Sequence, residues 1–206
     1  MLCAARLRAL ALASLAMLGG CAFDDREVDL TYEPVVSSAS LPGGATVDVT
    51  VADFVDARAN KATIGKVLNG YGTHTADVVT TDSVPLWMTD ALRVELERAG
   101  YAVVPATEAG PDALAVTGEV IRVSSDAYVH FKAQIIFRAV VMRGAELLID
   151  RTYTERTTGD LNFINSGQGY NEALQQTLAI AITKFIADLT QEVVASGNPP
   201  EISMAD

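Results

Sequence analysis

Apolar and polar positions fall into distinct periods along the chain, and those periods predict most of its elements. Val47, Val49 and Val51 alternate with Asp48, Thr50 and Ala52, the period of two of a half-buried strand, predicted over Thr46 to Phe54. The longest alternation runs through Val129, Phe131, Ala133, Ile135, Phe137, Ala139 and Val141, with Tyr128, His130, Lys132, Gln134 and Arg138 between them. Its apolar face is expected to lie against helices. Arg143-Gly144 turns it into a partner strand over Glu146 to Thr157. Two shorter strands are predicted over Tyr101 to Val104 and Leu114 to Val123, the latter from its β-branched residues.

Helical spacing appears twice. Ser83 can cap a helix start and Pro85 suits a first turn, where its missing N–H has no intrahelical partner. Trp87, Met88, Ala91, Leu92, Leu96 and Ala99 then form one stripe opposite Thr89, Asp90, Arg93, Glu97 and Arg98, and Gly100 can close the C-terminus. A helix over 83–99 follows. In the second helix, over Tyr170 to Ala195, Leu174, Leu178, Ala181, Phe185, Leu189 and Val193 recur at three and four residues, widened by Ile182 and Ile186. Gly197 and Pro199-Pro200 stop it, and a disordered tail is expected over 197–206. Between Val55 and Thr81 no period is sustained, so this Gly- and Thr-rich stretch, with its Asn69-Gly70 turn signal, is expected to be a long loop. These elements predict an α+β two-layer sandwich: an antiparallel-rich sheet of about five strands with two helices on one face.

The N-terminus reads differently. Arg6 and Arg8 precede the apolar stretch Ala9 to Met17, which closes with Leu18-Gly19-Gly20-Cys21, the layout of a secretory signal. The run is too short to span a bilayer, which needs about 20 apolar residues. Leu18, Gly19 and Gly20 before Cys21 resemble a lipobox, in which small residues admit the backbone to a peptidase and the thiol accepts diacylglycerol. Removal of 1–20 takes Cys3 and leaves Cys21 as the single cysteine of the mature chain, so no intramolecular disulfide is available. The expected organisation is a signal peptide over 1–20, a lipidated N-terminus and tether over 21–45, a periplasmic domain over 46–196, and the tail. Val28, Leu30 and Tyr32 alternate within the tether, which leaves room for a short edge strand there.

Charge narrows the partners. Arg6 and Arg8 leave with the signal while all 26 acidic residues stay, so the formal charge moves from −11 to −13. An acidic body is repelled by phosphate backbones, so nucleic acid is not an expected partner, and membrane attachment falls to acyl chains. One chain binds only marginally, so several are needed.

The order of several motifs resembles the YajG-type lipoproteins of the bacterial envelope. These are the lipobox; Val28-Asp29-Leu30 through Pro34; a strand followed by Asp56-Ala57-Arg58; Ile64-Gly65; a helix ending Leu96-Glu97-Arg98-Ala99-Gly100-Tyr101; and a closing helix after Asn171. The resemblance implies an outer-membrane lipoprotein facing the periplasm, with no established reaction. Ala22, in place of an aspartate after Cys21, favours the outer membrane.

Reactive groups are scarce. His74 lies in the expected loop and His130 on a polar strand face, neither beside a second histidine or a free cysteine, so a catalytic or transition-metal role is not expected of them. Asp24-Asp25 and Asp53 with Asp56 fall short of the six or more oxygens a hard cation takes. Asn69-Gly70-Tyr71-Gly72 lacks the lysine ending of a phosphate loop. No cofactor and no enzymatic activity are expected; a glycan-cleaving carboxylate pair has nothing to position it. Asp56 and Arg58 have two readings: a contact pair for a partner, or, favoured, an ordered turn in which Asp caps and Arg spans to a carboxylate or carbonyl. The leading functional expectation is an interaction lipoprotein docking an unknown envelope component through 55–81 and the open sheet face. The alternative is a ligand-binding auxiliary lipoprotein of a lipid or solute transport system.

Overall fold

A computed structural model describes residues 24–34, 47–160 and 166–196. Its strands are β1 (Arg26–Glu27), β2 (Asp48–Val51), β3 (Val55–Asp56), β4 (Gly65–Leu68), β5 (His74–Val79), β6 (Ala102–Val103), β7 (Leu114–Ala127), β8 (His130–Arg143) and β9 (Glu146–Asp160). The helices are α1 (Val84–Arg98) and α2 (Ser166–Ala195). Cys21, the preceding Leu18, Gly19 and Gly20, and the tail after 196 lie outside the described residues.

The three long strands carry the architecture. β7, β8 and β9 form an antiparallel meander whose register runs from Leu114 opposite Arg143 to Ala127 opposite Phe131, and from Arg143 opposite Glu146 to His130 opposite Asp160. Along β8 the alternation expected from the sequence is realised: Phe131, Ala133, Ile135, Phe137, Ala139 and Val141 are at most 4% exposed. Both helices pack on that face, joining Leu92, Leu96, Leu174, Phe185 and Leu189 to one core. Aromatic rings bridge the layers, with Tyr153 stacked on Phe137 at 5.2 Å and edge-on to Phe185 at 5.6 Å.

The sheet corrects the expected fold class. Among the described residues it has nine strands instead of about five, and it is mixed instead of antiparallel-rich. β2, β3 and β4 lie in succession along the outer edge of β7, all parallel to it, and β1–β5 and β2–β6 are parallel as well. The difference arises in segments too short to carry a period: β1, β3, β4 and β5 come from the stretches expected to be tether and loop. The expected loop over 55–81 holds three strands.

Residues 24–34 are packed onto the body. Val28 is 2% exposed and Leu30 is buried. The indole Nε1 of Trp87 donates to the Thr31 carbonyl at 2.9 Å, Asn171 Nδ2 donates to Thr31 Oγ1 at 2.8 Å, and the Tyr32 hydroxyl donates to Glu95 at 2.9 Å. The segment thereby joins both helices, and the body begins near Asp25, whose carboxylate accepts the Asp77 amide at 3.0 Å.

Helix α1 shows a second difference. Ser83 caps it, with Oγ accepting the Leu86 amide, and Gly100 at φ 94° closes it. Thr89, expected on the polar face, is fully buried: its hydroxyl donates to the Pro85 carbonyl and accepts the Phe54 amide at 3.0 Å. Glu95 is also buried, beside Tyr32 and Arg98. No helix among the described residues is long and apolar enough to cross a membrane.

Candidate binding notch at Arg58

The edge of β7 changes partners along its length, and one change leaves a gap. The Ala57 amide donates to the Val120 carbonyl at 2.9 Å, and the Ser125 amide donates to the Ile64 carbonyl at 2.7 Å. Between these two bonds, residues 58–63 bow away while Ile121 to Ser124 continue along β7. A register shift between Val120 and Arg122 adds a bulge at the same place. The result is a notch of about 370 Å³, lined by Arg58, Asn60, Thr63, Lys66, Arg122 and Ser124 among others.

The β4 end of the gap is fixed by close packing. Any side chain at Gly65 would place its Cβ 1.9 Å from the Ser125 carbonyl oxygen, so only glycine lets β4 return to β7 here. The bowed segment is ordered by Asn60, whose side chain accepts the Ala62 amide at 3.0 Å and donates to Thr63 at 2.9 Å.

Asp56 and Arg58 face each other at the notch. Arg58 Nε and Nη2 each donate to one Asp56 oxygen at 2.9 Å, and the Arg58 amide donates to the same carboxylate at 3.2 Å. This is a bidentate pair closing its own turn. The guanidinium holds the Asp56 carboxyl below the usual carboxylate range, its hydrogen bond outweighing burial. The Arg58 side chain is 6% exposed, and its Nη1 has no hydrogen-bond partner among the described residues. A buried guanidinium nitrogen without a partner costs stability. Lys66 and Arg122 bring two further cations to the rim, and Asp126, whose Oδ1 accepts the Lys66 amide at 2.9 Å, brings one anion. In a body of strongly negative charge, this cluster is locally cationic. The arrangement is suited to receiving an anionic group.

The other candidates are spread out. His74 stands at the start of β5, its Nε2 3.0 Å from Asp77, and His130 at the start of β8. Asp53 pairs with Arg93 at 2.9 Å, so Asp53 and Asp56 each face an arginine and do not converge. No group of three or more potential metal ligands occurs among the described residues. Sequence reasoning found Asp56 and Arg58 but not Lys66, Arg122 or Ser124, which reach the notch only through the pairing of β4 with β7.

No family model matches the chain, and no curated protein matches it. Solved structures do. The chain is similar to protein XCC0632 from Xanthomonas campestris, of family model DUF330: TM-score 0.54, 15% identity, covering 84% of this chain and 99% of that one. It is also similar to the hypothetical protein CT253 from Chlamydia trachomatis, at TM-score 0.51 and 10% identity, covering 73% and 99%. At these identities the likeness establishes the fold alone. Lipoprotein GNA1162 from Neisseria meningitidis matches at TM-score 0.37 and 12% identity over 70% of this chain and 99% of its own, too loosely to bear on fold or function. The YajG-type resemblance is not shown by any of these matches and rests on its motifs.

Proposed function

We propose that this protein is a lipid-anchored envelope lipoprotein, held by acyl chains on Cys21 at the periplasmic side of the outer membrane. There it acts as a non-enzymatic accessory component that docks another envelope protein. The observation that carries the docking role is the notch: a buried arginine with an unpartnered nitrogen, flanked by Lys66 and Arg122, opening on the sheet edge of an acidic body. Asp56 serves as the positioning partner of Arg58. An acidic side chain or terminal carboxylate of the docked protein pairs with the exposed Lys66 and Arg122 at the rim.

A photo-crosslinking residue at Ile121, which is 37% exposed beside the notch, tests this in intact cells against the same residue at Val94, 37% exposed on helix α1. A defined adduct from position 121 alone, weakened by Arg122→Glu, is the expected result. Equal adducts from both positions, or none, would count against docking at the notch.

The second reading is a ligand-binding auxiliary lipoprotein serving lipid or solute transport, favoured by the volume of the notch, about 370 Å³. It predicts a small anion that co-purifies, visible as a mass increment in native mass spectrometry and lost in Arg122→Glu.

A further inference from the structure

The two turns at one end of the sheet present apolar groups to solvent. In the β4–β5 turn Tyr71 is 95% exposed, and in the β7–β8 turn Val129 is 59% and Tyr128 39% exposed. The turns touch, the Tyr128 hydroxyl donating to the Gly70 carbonyl at 3.0 Å. Neither is loosely held. Asn69 Oδ1 accepts the Tyr71 and Thr73 amides at 3.0 Å, the Gly72 amide donates to the Asn69 carbonyl at 2.8 Å, and Gly72 takes the φ of 77° the turn needs. Two tyrosines and a valine are thus displayed on a pre-ordered tip, so little ordering entropy remains to be lost on docking.

The direction of β1 relates this tip to the N-terminus. β1 is parallel to β5, with Arg26 opposite Val78, and β5 starts at His74, beside the tip, and runs away from it. Followed backwards from Arg26, the chain therefore heads toward Tyr71. Asp25 is already held by the Asp77 amide. Three residues separate Asp25 from Cys21, four peptide steps with a reach of at most about 14 Å. The described chain thus starts on the course that leads to the exposed tyrosines, and an anchor on Cys21 is tied to Asp25 by that short reach.

We infer that this tip is a membrane-contact surface: Tyr71, Tyr128 and Val129 rest in the interfacial layer of the bilayer that holds the Cys21 acyl chains. The inference rests on the lipid anchor proposed above. Tyrosine suits that layer because its ring prefers an apolar setting while its hydroxyl stays wet. The interfacial layer on each side of the hydrocarbon is about 5–7 Å deep, enough to take one layer of side chains. Charged groups on the strand ends at the tip are Lys66, opposite Asp77, and Lys132, opposite Asp126, together with Asp24, Asp25 and Asp160, which lies opposite His130; His74 is paired to Asp77. The excess is acidic, so contact is made by the rings and not by attraction to anionic headgroups, and it holds on zwitterionic lipid in high salt.

The test is Tyr71→Trp in the lipidated full-length protein, reconstituted into phosphatidylcholine vesicles with or without bromine on the acyl chains. Trp87, 6% exposed in the core, is the internal reference. Loss of emission from the indole at position 71 with brominated lipid, with a blue shift and no loss from Trp87, is expected. A protein that floats with the vesicles while the new indole stays unquenched overturns the membrane contact and leaves the anchor standing. A protein that does not float overturns the anchor, and the contact with it.

Discussion

Val28→Ala separates an integral N-terminal segment from a tether. Val28 is 2% exposed, two residues before buried Leu30, in a segment bonded to Trp87, Glu95 and Asn171. The change removes two methyl groups, whose transfer is worth about 1.6 kcal/mol at roughly 0.8 kcal/mol per carbon. Partial collapse around the void raises the cost to about 2–3 kcal/mol. With a urea dependence of about 2 kcal/mol per molar, the unfolding midpoint should fall by about 1 M with an unchanged slope. Asp29→Ala, at the exposed neighbouring position, is the control and should stay within about 0.5 kcal/mol. Circular dichroism and Trp87 fluorescence should report the same midpoint, because one core contains both. If Val28→Ala matches the control, residues 24–34 are a loose tether, and the short distance from Cys21 to the body loses its basis.

Further expectations follow from the notch. Gly65→Ala places a Cβ against the Ser125 carbonyl, so β4 must move off β7; a loss of about 3 kcal/mol or more is expected by urea unfolding. Asp56→Asn weakens the Arg58 pair, and the pH dependence gives its signature. The Asp56 carboxyl is lowered in the folded state, so its contribution is fully present above the unfolded value near 4 and disappears as pH falls through the folded one. Wild type and variant should therefore differ in stability at neutral pH and converge in acid; a gap unchanged by acid would refute the ion pair. Arg122→Glu, at an exposed strand position, should leave the unfolding midpoint nearly unchanged while weakening the notch adduct.

What was legible in the sequence follows from where the information lies. β8 announces itself because six alternating apolar residues, Phe131 to Val141, face one core, while Val129, expected to share that face, lies exposed in the turn before it; α2 does so because its stripe meets the same sheet. β1 and β3 are two residues each, too short for any period, and they exist because β5 and β7 offer them an edge. β5, His74–Val79, buries only Ala76 and Val78 among polar neighbours. Parallel pairing is set by partners distant along the chain, which local patterning does not encode. The same limit governs the site. Asp56 and Arg58 are two residues apart, and their pairing is a local turn, visible as such. The notch depends on residues 58–66 meeting 121–126, a juxtaposition created by the gap between β3 and β4. Thr89 departs from its face for a related reason: that face reads polar, but the Phe54 amide donates to the Thr89 hydroxyl and draws it inward.

The central claim, that acyl chains on Cys21 hold this acidic body at the bilayer, is tested most directly by mass spectrometry of the N-terminal peptide from protein extracted from its native membranes. A chain that begins at Cys21 and carries the mass of a diacylglyceryl group is expected. A chain that retains residues before Cys21, or one whose Cys21 is a free thiol, would contradict it.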